Sequence, residues 1–142
     1  MRLHKSAHTV YKTQYHIVFV TRYRRKILVP GVATYLKIKL QEIRKHHPDW
    51  EYIEIGTDGD HVHLHMVIPP KYAVSKVVNI LKSNTATRLK EKFEFLEKVY
   101  WDGGGIWSTG FFVSTVGIDE EIIRNYVAMQ GKEDSGQAEL EL

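Results

Sequence analysis

The chain contains no cysteine. That absence excludes a disulfide framework, a thiolate metal centre and a cysteine nucleophile, so any metal has to be held by imidazole, carboxylate or amide groups. There is also no run approaching the ~20 apolar residues of a membrane span. The N-terminus lacks the basic-then-apolar layout of a secretory signal. A cytoplasmic protein without a membrane partner is expected. Net charge is small too: 20 Lys and Arg stand against 17 Asp and Glu, a formal charge of +3. Its distribution is uneven. Arg22, Arg24, Arg25 and Lys26 cluster around Tyr23, whereas Glu133, Asp134, Glu139 and Glu141 make the end acidic. The body is therefore more basic than the net charge suggests, and a basic body attracts polyanions through phosphate contacts.

The 142 residues, 43% of them apolar, are enough for one domain with a proper core. That domain is expected over residues 1–131, with 132–142 as a loose acidic tail. A β-branched and aromatic run over 14–21 predicts a first strand, and Pro30-Gly31 breaks the chain after it. Helical spacing of apolar residues over 32–47 predicts a helix that stops before Pro48. Two strands, 50–56 and 61–68, flank the turn-forming Thr57-Asp58-Gly59-Asp60. A second helix is predicted over 74–93, a glycine-rich loop over 101–107 and a last strand over 111–116. Asp119 is the expected N-cap of a final helix that Gly131 terminates. The order is α+β: a ferredoxin-like βαββαβ antiparallel sheet with helices on one face, plus a C-terminal helix carrying Tyr126.

Two patterns in this frame bear chemistry. Residues two apart on a strand share a face and lie ~6.8 Å apart, so His61 and His63 can lean onto one ion while Val62 faces the core. His65 continues the same face, which leaves three sets open: 61 with 63, 63 with 65, or all three. Tyr126 and Gln130 are one helical turn apart and project from one side, a phenol beside an amide whose carbonyl suits a hard cation. An imidazole pair alone suits Zn²⁺, Co²⁺ or Ni²⁺ equally.

Taken together, Asp60-His61-Val62-His63-Leu64 resembles the HUH motif of the small single-tyrosine transposases of hairpin-ended insertion sequences. Thr21-Arg22-Tyr23-Arg24-Arg25, Trp101-Asp102-Gly103-Gly104-Gly105-Ile106-Trp107-Ser108, Phe112-Val113-Ser114-Thr115-Val116-Gly117 and Tyr126-Val127-Ala128-Met129-Gln130 resemble other segments of that family, in its order. The resemblance implies that His61, His63 and Gln130 ligate Mg²⁺ or Mn²⁺ and that Tyr126 is the nucleophile. His65 departs from the family pattern, and its role is left open. It further implies a homodimer with active sites shared between subunits, acting on single-stranded DNA that carries a hairpin. Cleavage would leave a 5′-phosphotyrosine and a free 3′-hydroxyl, so rejoining needs no external energy source. For DNA contacts the candidates are Arg22, Tyr23, Arg24, Arg25 and Lys26, with Lys82 and Arg88 on the second helix. Tyr23 is placed to stack on an unpaired base. The rival readings are a domesticated nickase of repetitive palindromes and a non-catalytic RNA-recognition-like module.

Overall fold

The computed structural model describes residues 3–5, 10–115 and 120–135. A small antiparallel pair, β1 (His4–Lys5) and β2 (Val10–Tyr11), precedes β3 (Gln14–Val20). The chain continues through α1 (Pro30–Ile43), β4 (Glu51–Asp58), β5 (His61–Val67), α2 (Val74–Lys92), α3 (Phe95–Val99), β6 (Phe112–Ser114) and α4 (Glu120–Asp134). The main sheet has the order β4-β5-β3-β6, with every neighbouring pair antiparallel. Among the described residues, no helix is long and apolar enough to cross a membrane.

Alternation sorts β3 and β5 onto two faces. Ile17, Phe19, Val62, Leu64 and Met66 point to one side, where Val32, Leu36 and Leu40 of α1 and Val77, Val78 and Leu81 of α2 close the main core. Val18 and Val20 point to the other side and meet Val127, with Ile123 and Tyr126 of α4 packed against them. The C-terminal helix therefore lies on the opposite face of the sheet from α1 and α2. Its seat is a much smaller apolar cluster.

Several boundaries differ from those the sequence suggests. Helix α1 begins at Pro30 itself, because proline at the first helical position gives up only an N–H that would be unpaired anyway. It ends at Ile43, and residues 44–47 continue in tighter turns whose N–H groups reach back three residues, as from Lys45 to Glu42. In β4 the apolar residues 52 and 55 are three apart, which regular alternation would send to opposite faces. A register shift between Tyr52 and Glu54 inserts Ile53 as an extra, exposed residue, so Tyr52 and Ile55 both face the core. Gly131 does not stop α4, which runs on to Asp134 and takes in the start of the expected tail. The glycine is there for proximity: a Cβ on it would lie 2.3 Å from Cδ of Arg24. Asp119 and Val116 lie outside the described residues.

Candidate active site

The tight Gly59-Asp60 turn puts β4 and β5 in register so that polar residues form rows across the sheet. His61 stands between Asp58 of β4 and Val20 of β3, His63 between Gly56 and Val18, and His65 between Glu54 and His16. The rings of His61 and His63 are 6.2 Å apart and tilted by 39°. Both line a cleft of about 510 Å³ with His16, Glu54, Asp58, Ile123 and Arg124. His65 goes elsewhere: its ring lies 4.4 Å from that of His16, and its Nε2 is 2.9 Å from Oε1 of Gln14. Burial first, and then the adjacent His65, lower the pKa of His16.

A buried carboxylate orients His61. Nδ1 of His61 is 2.9 Å from Oδ1 of Asp60, whose side chain is almost completely buried. Burial pushes the Asp60 carboxyl up, but the hydrogen bond from His61, the charge of Lys26 and the hydrogen bond from Arg24 outweigh it and hold Asp60 below its ordinary value. An ionised Asp60 can only accept, so Nδ1 of His61 is the donor in this pair and the ring presents Nε2 on its other side. A carboxylate behind an imidazole is the usual outer support of a histidine metal ligand. Nε2 lies 3.4 Å from Oδ2 of Asp58. Among the described residues, no three histidine or carboxylate side chains converge to hold a metal. The donor set is a pair of imidazoles with positions left open, which fits a catalytic ion rather than a structural one.

His63 depends on Gly56. A Cβ at that position would fall 2.2 Å from both Cε1 and Nε2 of the His63 ring. Gly56→Ala should displace the ring rather than unfold the strand, since the clash is with the end of a movable side chain. The expected result is a loss of about 10–100-fold in Mn²⁺ affinity by calorimetry, in line with disturbed support of a ligand, and a nearly unchanged melting temperature. Wild-type affinity in that variant would remove His63 from the ligand set.

The structure does not bring Tyr126 and Gln130 to the histidines. The Tyr126 ring packs 5.8 Å from Phe112 of β6, two strands away from β5. Gln130 is buried, and neither residue lines the histidine cleft. Burial first, then Glu133 and Asp134, push the Tyr126 phenol up to about 12. In this seat Tyr126 is a protonated and poor nucleophile. The far end of α4 is tied down: Asp134 accepts hydrogen bonds from the Tyr23 N–H at 2.8 Å and from the Ser108 hydroxyl. Tyr23 and Arg24 hold positive φ of 60° and 54°, so that contact rests on a strained turn.

The predicted DNA-contact residues are paired inside the chain. Arg22 bonds Asp102 at 2.6 Å, Arg24 and Lys26 sit 3.3 and 3.7 Å from Asp60, and Arg25 donates to the Val99 carbonyl. Tyr23 lies under the guanidinium groups of Arg22 and Arg25, each 5.2 Å from its ring centre. Lys82 donates to the carbonyls of Ser108 and Gly110, and Arg88 pairs with Glu91 on α2, behind the other face. Close approach of Arg22 also explains one loop glycine: a Cβ on Gly104 would fall 2.0 Å from Nη1 of Arg22. Sequence reasoning overlooked His16 and Arg124. His16 was legible from the alternation of β3, since it shares the face of Val18; nothing in the order of residues marks Arg124.

Residues 9–130 match the family model described as IS200-like transposase. Over 131 residues the chain is 31% identical to the transposase for insertion sequence element IS200 of Salmonella typhimurium, covering 90% of this chain and 83% of that one. It is 30% identical to the ISDra2 transposase TnpA of Deinococcus radiodurans, with 92% of each chain covered. A crystal structure of a candidate transposase from Deinococcus radiodurans R1 superposes with a TM-score of 0.80 at 31% identity, over 89% of this chain and 97% of that one. A REP-associated tyrosine transposase bound to a REP hairpin shares the fold at a TM-score of 0.55 and 14% identity, over 94% and 76% of the two chains.

Proposed function

Since the chain belongs to the family of IS200-like transposases, we propose that it cuts and rejoins single-stranded DNA at hairpin-marked ends, with Tyr126 as nucleophile and His61 and His63 as metal ligands. The observation that carries this reading is the pair of imidazoles on one cleft wall, 6.2 Å apart, with Asp60 behind His61. His61 and His63 would hold Mg²⁺ or Mn²⁺, which when bound neutralises charge growing on the oxygens of the scissile phosphate. Gln130 completes the ligand set once α4 approaches the cleft.

Each remaining step belongs to side chains. The Tyr126 hydroxyl gives up its proton and its oxygen attacks phosphorus. The phosphorus–O3′ bond breaks as the phosphotyrosine bond forms, and the departing O3′ takes up a proton. Attack by another 3′-hydroxyl runs the sequence backwards and releases Tyr126, joining two strands at no net cost in phosphodiester bonds. A phenol held at about 12 by burial has to leave its pocket beside Phe112 for this. Movement of α4, or supply of α4 by a second subunit of a homodimer, is therefore part of the proposal.

The test is direct. The protein is mixed with single-stranded oligonucleotides from the ends of its own element, with and without Mg²⁺ or Mn²⁺, and resolved on a denaturing gel. A covalent protein–DNA species is expected that requires metal and vanishes in Tyr126→Phe, while DNA binding survives. An undiminished adduct in that variant would overturn the assignment of Tyr126.

A further inference from the structure

The cations that the sequence advertises are engaged within the chain, and the cleft that holds the histidines is lined by two carboxylates, Glu54 and Asp58. A phosphodiester entering that cleft meets repulsion from both, so a positive group there has a task that the paired arginines do not perform. Arg124 is the one Lys or Arg among the residues lining the cleft. It is exposed, and among the described residues it has no hydrogen-bond or ion-pair partner. Its position is set by its neighbour: Ile123 packs on the Val18 and Val20 cluster, which anchors α4 and places residue 124 on the cleft side of the helix.

We propose that, with α4 in this seat, Arg124 binds a backbone phosphate of the single strand lying across the histidine face, a contact that positions the strand before it is cut. A guanidinium suits the role because its fork can donate two parallel hydrogen bonds to two phosphate oxygens, whereas an ammonium acts as a point charge. The inference rests on the strand-cleavage reading for the identity of the polymer, but its central measurement is binding.

Binding is measured by fluorescence anisotropy with a hairpin oligonucleotide carrying a single-stranded extension, in a Tyr126→Phe background so that no adduct forms. Arg124→Gln should weaken binding roughly tenfold, the range of one charge-assisted hydrogen bond. The slope of log affinity against log salt should shrink by about 0.7, the value for one fewer neutralised phosphate on a single strand. Arg124→Lys should restore the slope and only part of the affinity. Scanning a single neutral methylphosphonate linkage along the extension should reveal one position at which the deficit of Arg124→Gln disappears. Unchanged affinity and slope in Arg124→Gln, or a deficit that persists with the neutral linkage at every position, would overturn the proposal. In the Tyr126 chain, failure to form any metal-dependent adduct would sink the cleavage reading, and the binding measurements would still decide the role of Arg124.

Discussion

Replacing both His61 and His63 by alanine is expected to cut metal-dependent adduct formation by at least about 10²–10³-fold, the usual cost of losing one element of charge stabilisation at a transition state. The melting temperature should move little. Both rings are only partly buried and face the cleft, while the apolar residues that alternate with them, Val62 and Leu64, carry the packing. Removing the rings therefore opens no void in the main core. Calorimetry with Mn²⁺ and a timed denaturing gel check the two halves of the prediction. Asp58 and Glu54 remain on the cleft wall in this variant. If they hold the ion by themselves, cleavage continues at the wild-type rate and the imidazoles lose their role.

The second large effect concerns how the phenol reaches the metal ligands. Tyr126 packs against Phe112 of β6 and against Val18 and Val20 of β3, while the histidines stand on β5, the next strand over. A scissile phosphate has to lie within roughly 3 Å of both nucleophile and activating group. As seated, Tyr126 is half-buried and does not line the histidine cleft. If a second subunit supplies the helix, a mixture of Tyr126→Phe and His61→Ala chains should form adduct although neither does so alone, because the mixed dimer keeps one site with an intact histidine pair and an intact tyrosine. Co-purification of two differently tagged chains shows that mixed dimers exist. Their presence without adduct would mean that α4 swings within its own subunit.

Much of this arrangement is visible in the order of residues. Alternation marks β5 and assigns Val62 and Leu64 to the core and the histidines to the other face, since one register satisfies both. A turn within Thr57-Asp58-Gly59-Asp60 is equally plain, although β4 takes in Thr57 and Asp58 and leaves only Gly59-Asp60 to join the strands. What sequence cannot show is who pairs with whom over long separations. Arg22 meets Asp102 and Arg24 meets Asp60, pairings within the chain that the run of basic residues does not announce. The role of Gly131 was hidden for a related reason. A glycine at the end of an apolar stripe signals a helix stop when only local geometry is considered, but here the requirement comes from Arg24, more than a hundred positions earlier. His65 likewise has its partner on another strand, and only the pairing of β3 with β5 shows that it turns to His16 and Gln14.

Gly131 also bears on how firmly the tyrosine is held. Inside a helix, glycine is about 0.5–1 kcal/mol less favourable than alanine, so the segment that bears the tyrosine is weakened where it lies flush against Arg24. Among the described residues, the apolar cluster at its seat has Val18 and Val20 of β3 and Val127 of α4 itself as its buried members. The sheet and the two helices behind it share a separate and much larger core. Tyr126, the proposed nucleophile, is thus carried on a helix whose apolar seat is separate from the core that scaffolds the histidines.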